Sequence, residues 1–208
     1  MGMDSMIAEN NSEDPDTQAR AFSAQISEGG LLILQSLIGR QLYRVLAPCL
    51  QVAGAHFTAP SFSIHFSDEI GGRWFHKYVN ICCEWSETPL TFTDYWDILI
   101  SCENKPSGIN VDSSGAIVAP CTICFYKAKP IKKIELYEFQ LSAGQGSDLE
   151  TVTYDKAIRF EHEGGTAFCI ACQVNGPGDA TEVHVSEDEA TISQFLNGSR
   201  SRTCLTAI

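Results

Sequence analysis

Residues 61–67, SFSIHFS, put Phe62, Ile64 and Phe66 at every second position and Ser61, Ser63, His65 and Ser67 between them. Successive side chains of a strand point to opposite faces, so this alternation predicts a half-buried β-strand. WFHKYVNICCEW (74–85) returns after the turn-forming DEIGG, and the two segments predict a hairpin. The same period of two marks RQLYRVLA (40–47), YWDILISC (95–102) and IKKIELYEFQ (131–140). AIRFEHEGGTAFCIACQV (157–174) reads as a second hairpin turning at Gly164-Gly165, and ATEVHV (180–185) as a further strand. AIVAPCTICFY (116–126) is a largely apolar strand, NKPSGINVDSSG (104–115) and SAGQGSD (142–148) are loops, and LLILQSLIG (31–39) fits either a short buried helix or a strand.

SEDE (186–189) reads as a capping box, with Ser186 as N-cap and Glu189 reaching back to it. The apolar face of Ala190, Ile192, Phe195 and Leu196 then carries a helix to Gly198, and the closing SRSRTCLTAI looks loosely held. Together these elements predict a mainly β chain, a β-rich α+β fold. It is expected as an antiparallel sandwich or strongly curved sheet of about 7–9 strands with a C-terminal helix and room for one N-terminal helix. Residues 1–27 are acidic and poor in large apolar groups, which predicts a flexible tail with room for a short helix near 17–25. Residues 28–208 then form one domain.

The formal charge of −12 changes the list of partners. Nucleic acid and anionic membranes bind basic surfaces, so neither is expected; a basic protein partner is. No apolar run approaches the roughly 20 residues that span a bilayer. MGMDSMIAENNSEDPDTQ has neither a basic n-region nor an apolar h-region, so the cytoplasm is the expected location. There the nine cysteines should be mostly reduced thiols.

Candidate chemistry is sparse. CTIC (121–124) and CIAC (169–172) have the spacing of half a zinc site each, so Cys121, Cys124, Cys169 and Cys172 are the candidate ligands. Yet both lie in β-favouring runs, where residues three apart face opposite sides, which favours structural cysteine and no metal. Cys82-Cys83 likewise straddle a strand, and a vicinal disulfide there is strained. His162, between Glu161 and Glu163, and Cys169 are the candidates for a thiol or hydrolase-like enzyme, although no nucleophile elbow, H-E-x-x-H or phosphate loop accompanies them. No cofactor is implied. The basic run KAKPIKK (127–133) either pairs with acids internally or marks a separate site.

The unusual stretch is aromatic. Trp74, Trp85 and Trp96 lie close together in sequence, with Tyr95 nearby and Glu84, Glu87, Asp94 and Asp97 interleaved. Exposed aromatics beside carboxylates make a surface that grips a basic protein. In size, charge and strand pattern the chain is similar to bacterial immunity proteins. That similarity implies a non-enzymatic module that neutralises a partner, in an oligomeric state the sequence leaves open.

Overall fold

A computed structural model describes residues 20–42, 44–70, 73–112, 117–118, 121–124, 129–173 and 182–207. The chain opens with strand β1 (Arg20–Ala24), helix α1 (Glu28–Gln35), β2 (Arg44–Ala47), β3 (Gln51–Ala53) and β4 (His56–Ala59). The long strands β5 (Ser61–Ile70), β6 (Arg73–Glu87) and β7 (Asp94–Glu103) follow, then the short β8 (Cys121–Cys124). The second half holds β9 (Ile131–Ala143), β10 (Glu150–His162), β11 (Ala167–Gln173), β12 (Glu182–Ser186), helix α2 (Glu189–Phe195) and β13 (Arg200–Thr206). The fold is the β-rich sandwich that the alternation predicts, with more strands than expected.

Two sheets face each other. The larger runs β13-β9-β10-β11-β12-β4-β3, with β1 added alongside β10, and the smaller runs β7-β6-β5-β2-β8. Among the described residues all strand pairings are antiparallel except that of β1 with β10. β10 pairs with β9 along its length. It pairs with β1 through residues 150–154 and with β11 through 157–161, and a register shift at Asp155/Ala157 separates the two. The core lies between the sheets. Phe62, Ile64, Val79 and Ile81 meet Leu136, Ile158, Phe160 and Phe168, and α1 contributes Leu34. α2 packs elsewhere, placing Ile192 and Phe195 with Ala157, Cys169 and Ala171 in a separate cluster.

Several local readings are corrected. Within the stretch expected as a tail, residues 20–24 are strand rather than helix, and Ile26 is buried in the core. The rest of that stretch, residues 1–19, lies outside the described residues. The first five residues of LLILQSLIG are helical and the rest turn; Ser27 caps the helix, its Oγ accepting from the Gly30 amide at 3.2 Å. The cap of α2 is Asp188, not Ser186: the Asp188 carboxylate accepts from the Thr191 amide at 2.8 Å. Ser186 instead ends β12 and donates to the Ala55 carbonyl. The C-terminal segment is not loose. It is β13, paired with β9 and tied down by Arg200 to Glu138 and by Arg202, which forks onto the buried Asp155 at 2.6 and 2.9 Å.

The expectation of reduced cysteines is also overturned. Cys83 of β6 and Cys172 of β11 form a disulfide that ties the two sheets together, with Cα atoms 6.2 Å apart. Both are core residues, so the alternation that buried them also aimed them at each other across the sandwich. CIAC lies on the interior strand β11, whereas CTIC lies on β8, the last strand of its sheet among the described residues.

Candidate interaction surface

The β6–β7 hairpin ends in the turn Thr88–Thr93. Its end carries three of the large apolar side chains most exposed to solvent: Phe92 at 68%, Trp85 at 50% and Leu90 at 41%. Phe92 also has φ 50°, the one non-glycine residue with positive φ among the described residues. Such a backbone costs on the order of 1–3 kcal/mol and persists only where the surroundings hold it. Three threonines do the holding. Thr88 and Thr91 bond through their hydroxyls at 2.8 Å, as do Thr91 and Thr93, and the Thr93 amide donates to Thr88 Oγ1 at 3.0 Å.

Glu150, the buried first residue of β10, anchors this turn from the other sheet. Its carboxylate accepts from the Thr91 amide at 2.8 Å, the Thr91 hydroxyl at 2.9 Å and the Leu90 amide at 3.2 Å. Burial alone raises the Glu150 pKa. The bonds from Thr91, Thr88 and Leu90 outweigh it and hold the carboxyl below its ordinary value, so it stays an anionic anchor. Gly144 follows β9 with φ +88°, and a Cβ there would meet the Asp148 backbone and the Thr91 methyl. The close approach of this connection to the hairpin turn therefore requires glycine.

Carboxylates surround the apolar tip. Glu84, Glu87 and Asp94 are exposed, and Asp94 accepts from the Trp85 indole N–H at 3.0 Å, fixing the ring across the hairpin. Glu84 stands directly opposite Asp97 in the β6–β7 register. Like charges placed so oppose folding. Burial first, then Glu84 and Asp155, push the Asp97 carboxyl upward.

The structure thus divides the eight aromatic and acidic candidates. Trp85, Glu87 and Asp94 share the exposed hairpin end, and Glu84, also exposed, turns to the other face of β6 opposite Asp97. Tyr95 and Trp96 pack inward against a cluster holding Val152 and Tyr154, with the Trp96 ring edge-on to Tyr154 at 5.9 Å. Asp97 is half-buried in a groove farther along β7. Trp74 lies in β6, but its side chain is outside the described residues. Leu90 and Glu150 were missing from the sequence-derived set, and Phe92, an aromatic of the same stretch, was not singled out as a binding residue. A leucine and a phenylalanine inside the turn sequence TPLTFT are a signal that was present; the contact with Glu150 leaves none.

The other candidates do not converge. His162 shares a cluster of rings with Phe168 (5.7 Å) and its Nδ1 bonds the Lys129 carbonyl at 2.7 Å. Cys169 points into the α2 cluster, where burial, as the leading cause, pushes its thiol up to about 12. Phe168 and Cys169 are adjacent strand residues facing opposite ways, so these two candidates belong to opposite faces of the sheet. Of the possible zinc ligands, Cys172 is bonded to Cys83, Cys169 is on the α2 side and Cys121 packs at the edge of the small sheet. The Cys124 side chain is outside the described residues. Among the described residues no group of three His, Cys, Asp or Glu side chains is placed to hold a metal. In the basic run, Lys133 pairs with Glu135 and Glu161, and Lys132 with Glu161.

Fold and surface together define a disulfide-linked two-sheet β-sandwich that holds a strained aromatic turn out to solvent. Comparison with protein-family models, curated proteins and solved structures finds no match to the chain. Among the described residues no helix is long and apolar enough to cross a membrane.

Proposed function

We propose that this protein is a non-enzymatic binding module that grips a basic partner protein with the end of its β6–β7 hairpin. The observation that carries the reading is Phe92: a large aromatic ring held in solvent on a left-handed backbone, by a turn anchored to a buried carboxylate of the opposite sheet. Strain with no internal use is a pointer to function. A rigid aromatic anchor loses little entropy on binding, and the ring of carboxylates favours lysine and arginine on the other side. The net charge of −12 supports fast capture of a basic protein.

Neutralising that partner by covering its working surface, as bacterial immunity proteins do, is the finer form of the reading. The disulfide bears on where the two meet. A bridge buried between the sheets favours an oxidising compartment over the cytoplasm expected from the sequence.

The test is parallel affinity capture from the source cells with the wild-type chain and with Phe92→Ala. A basic protein should be retained stoichiometrically by the wild type, with binding weakened about 30-fold or more by the loss of an anchor of about 2 kcal/mol. Asp94→Lys should slow association, most at low salt. Glu150→Gln keeps the ring but loosens its turn, and should weaken binding less. Equal capture by wild type and Phe92→Ala, with both folded by circular dichroism, would refute the reading.

A further inference from the structure

Among the described residues β7 is the terminal strand of the small sheet and pairs with β6 alone. In an antiparallel pair, alternate residues turn their N–H and C=O groups away from the partner strand. Along Asp97–Ser101 no other hydrogen bond meets those outward groups among the described residues. A cavity of about 730 Å3 runs beside this segment. It is lined by five consecutive β7 residues, 97–101, and by Asn80 and Cys82 of β6, so it takes in the edge of β7 together with the sheet face beside it, over roughly 15 Å of chain.

Both walls are built. On one side the chain entering α1 (25–30) lies along the groove, and Gly30 sits so close to Ile100 and Ile26 that a Cβ would reach them at 3.7 and 2.7 Å. On the other side residues 103–110 are pinned over the sheet. The Ser107 amide donates to Ser63 Oγ at 3.0 Å and to Asn80 Oδ1 at 3.1 Å, and Asn80 Nδ2 donates to the Lys105 carbonyl at 3.3 Å.

The groove also carries more acid than base. Asp97 makes no hydrogen bond or ion pair among the described residues, and Glu84 stands opposite it. Glu103 lies at the other end, and Lys105 is the single base lining the cavity. A cation brought in from outside would relieve the Asp97–Glu84 repulsion that the fold leaves uncompensated.

We propose that this edge accepts an extended, basic segment of a partner protein as a sixth strand of the small sheet, hydrogen-bonded to the β7 main chain and pairing a lysine or arginine with Asp97. Main-chain bonds supply the affinity of such strand addition, and side-chain positions along the groove supply the selectivity. The assignment rests on the reading of the chain as a binding module and names the chemistry of its ligand. The exposed Phe92 end belongs to the same hairpin, so one partner reaches both features.

The test uses random octapeptides displayed on phage, selected on the full chain, with the enriched peptides synthesised and titrated. They should carry lysine or arginine, slow hydrogen exchange at the outward amides of 97–101 by tenfold or more, and bind at least tenfold more weakly to Asp97→Asn. N-methylation of every second peptide residue should abolish binding in one phase and spare it in the other. No enrichment, enrichment without basic residues, or protection confined to other strands would overturn the proposal. Phe92→Ala separates the two readings. Peptides weakened by Phe92→Ala but indifferent to Asp97→Asn belong to the hairpin end and sink the edge site alone. Basic peptides protecting 97–101 and indifferent to Phe92→Ala sustain the edge site even where partner capture by the tip has failed.

Discussion

His65 shows how one residue ties this fold to pH. It projects from β5 opposite Tyr78 and stacks on that ring at 5.0 Å. Arg44 Nε donates to its Nδ1 at 3.3 Å, so Nδ1 is unprotonated, and Nε2–H then donates to His76 Nδ1 at 3.1 Å. Adding a proton at Nδ1 replaces that bond by a clash of donors. Burial first, then Arg44 and His76, lower its pKa from 6.5 to about 4. A folded value below the unfolded one means that the unfolded chain takes up the proton first as pH falls. The stability it contributes is whole above about 6.5 and drains away down to about 4. The urea midpoint should therefore fall between pH 7 and pH 5, and His65→Gln should flatten that slope; an unaltered slope would refute the assignment.

Among the elements, β13 carries the largest surprise. Its sequence, RSRTCLT, looks like a polar tail because the acids that match its arginines are far away in the chain. Asp155 is fully buried at the register shift of β10, where it binds both Arg202 and the Ile26 amide (2.7 Å). One carboxylate thus fastens the C-terminal strand and the link between β1 and α1 to the middle of the large sheet. Removing one partner leaves the other charge buried and alone, at a cost of about 3–5 kcal/mol. Arg202→Met should lose about that much in chemical denaturation. Adding Asp155→Asn should restore part of it, and a near-neutral Arg202→Met would show that the strand holds without the pair.

For the molecule as a whole, the Cys83–Cys172 bridge joins the sheets across 89 residues of sequence. In the chain-entropy account, closing a loop of that length contributes roughly 4–5 kcal/mol by restricting the unfolded chain. The double variant Cys83→Ala, Cys172→Ala should lower the denaturation midpoint accordingly. Alkylation of the unfolded, unreduced protein should label two fewer thiols than the nine cysteines present. Labelling of all nine would remove the bridge and, with it, the argument for an oxidising compartment.

The sequence by itself determined the strands and which of their sides are buried. Phe62, Ile64 and Phe66, or Ile158 and Phe160, turn inward because neighbouring strand residues point opposite ways whatever strand lies beside them. The same rule made the two thiols of CIAC part company, Cys172 to the core and Cys169 to α2. The acidic, aromatic hairpin was legible as a candidate surface, but the sorting of its members was not. Tyr95 and Trp96 go inward and Phe92 outward because a turn fixed by Glu150, distant in sequence, sets how the hairpin end lies on the other sheet. Tertiary structure alone decided the union of Cys83 with Cys172, the capture of β13 by Asp155 and the open edge of β7. Each depends on which distant segments become neighbours, and local alternation, which repeats every two residues, carries no information about that choice.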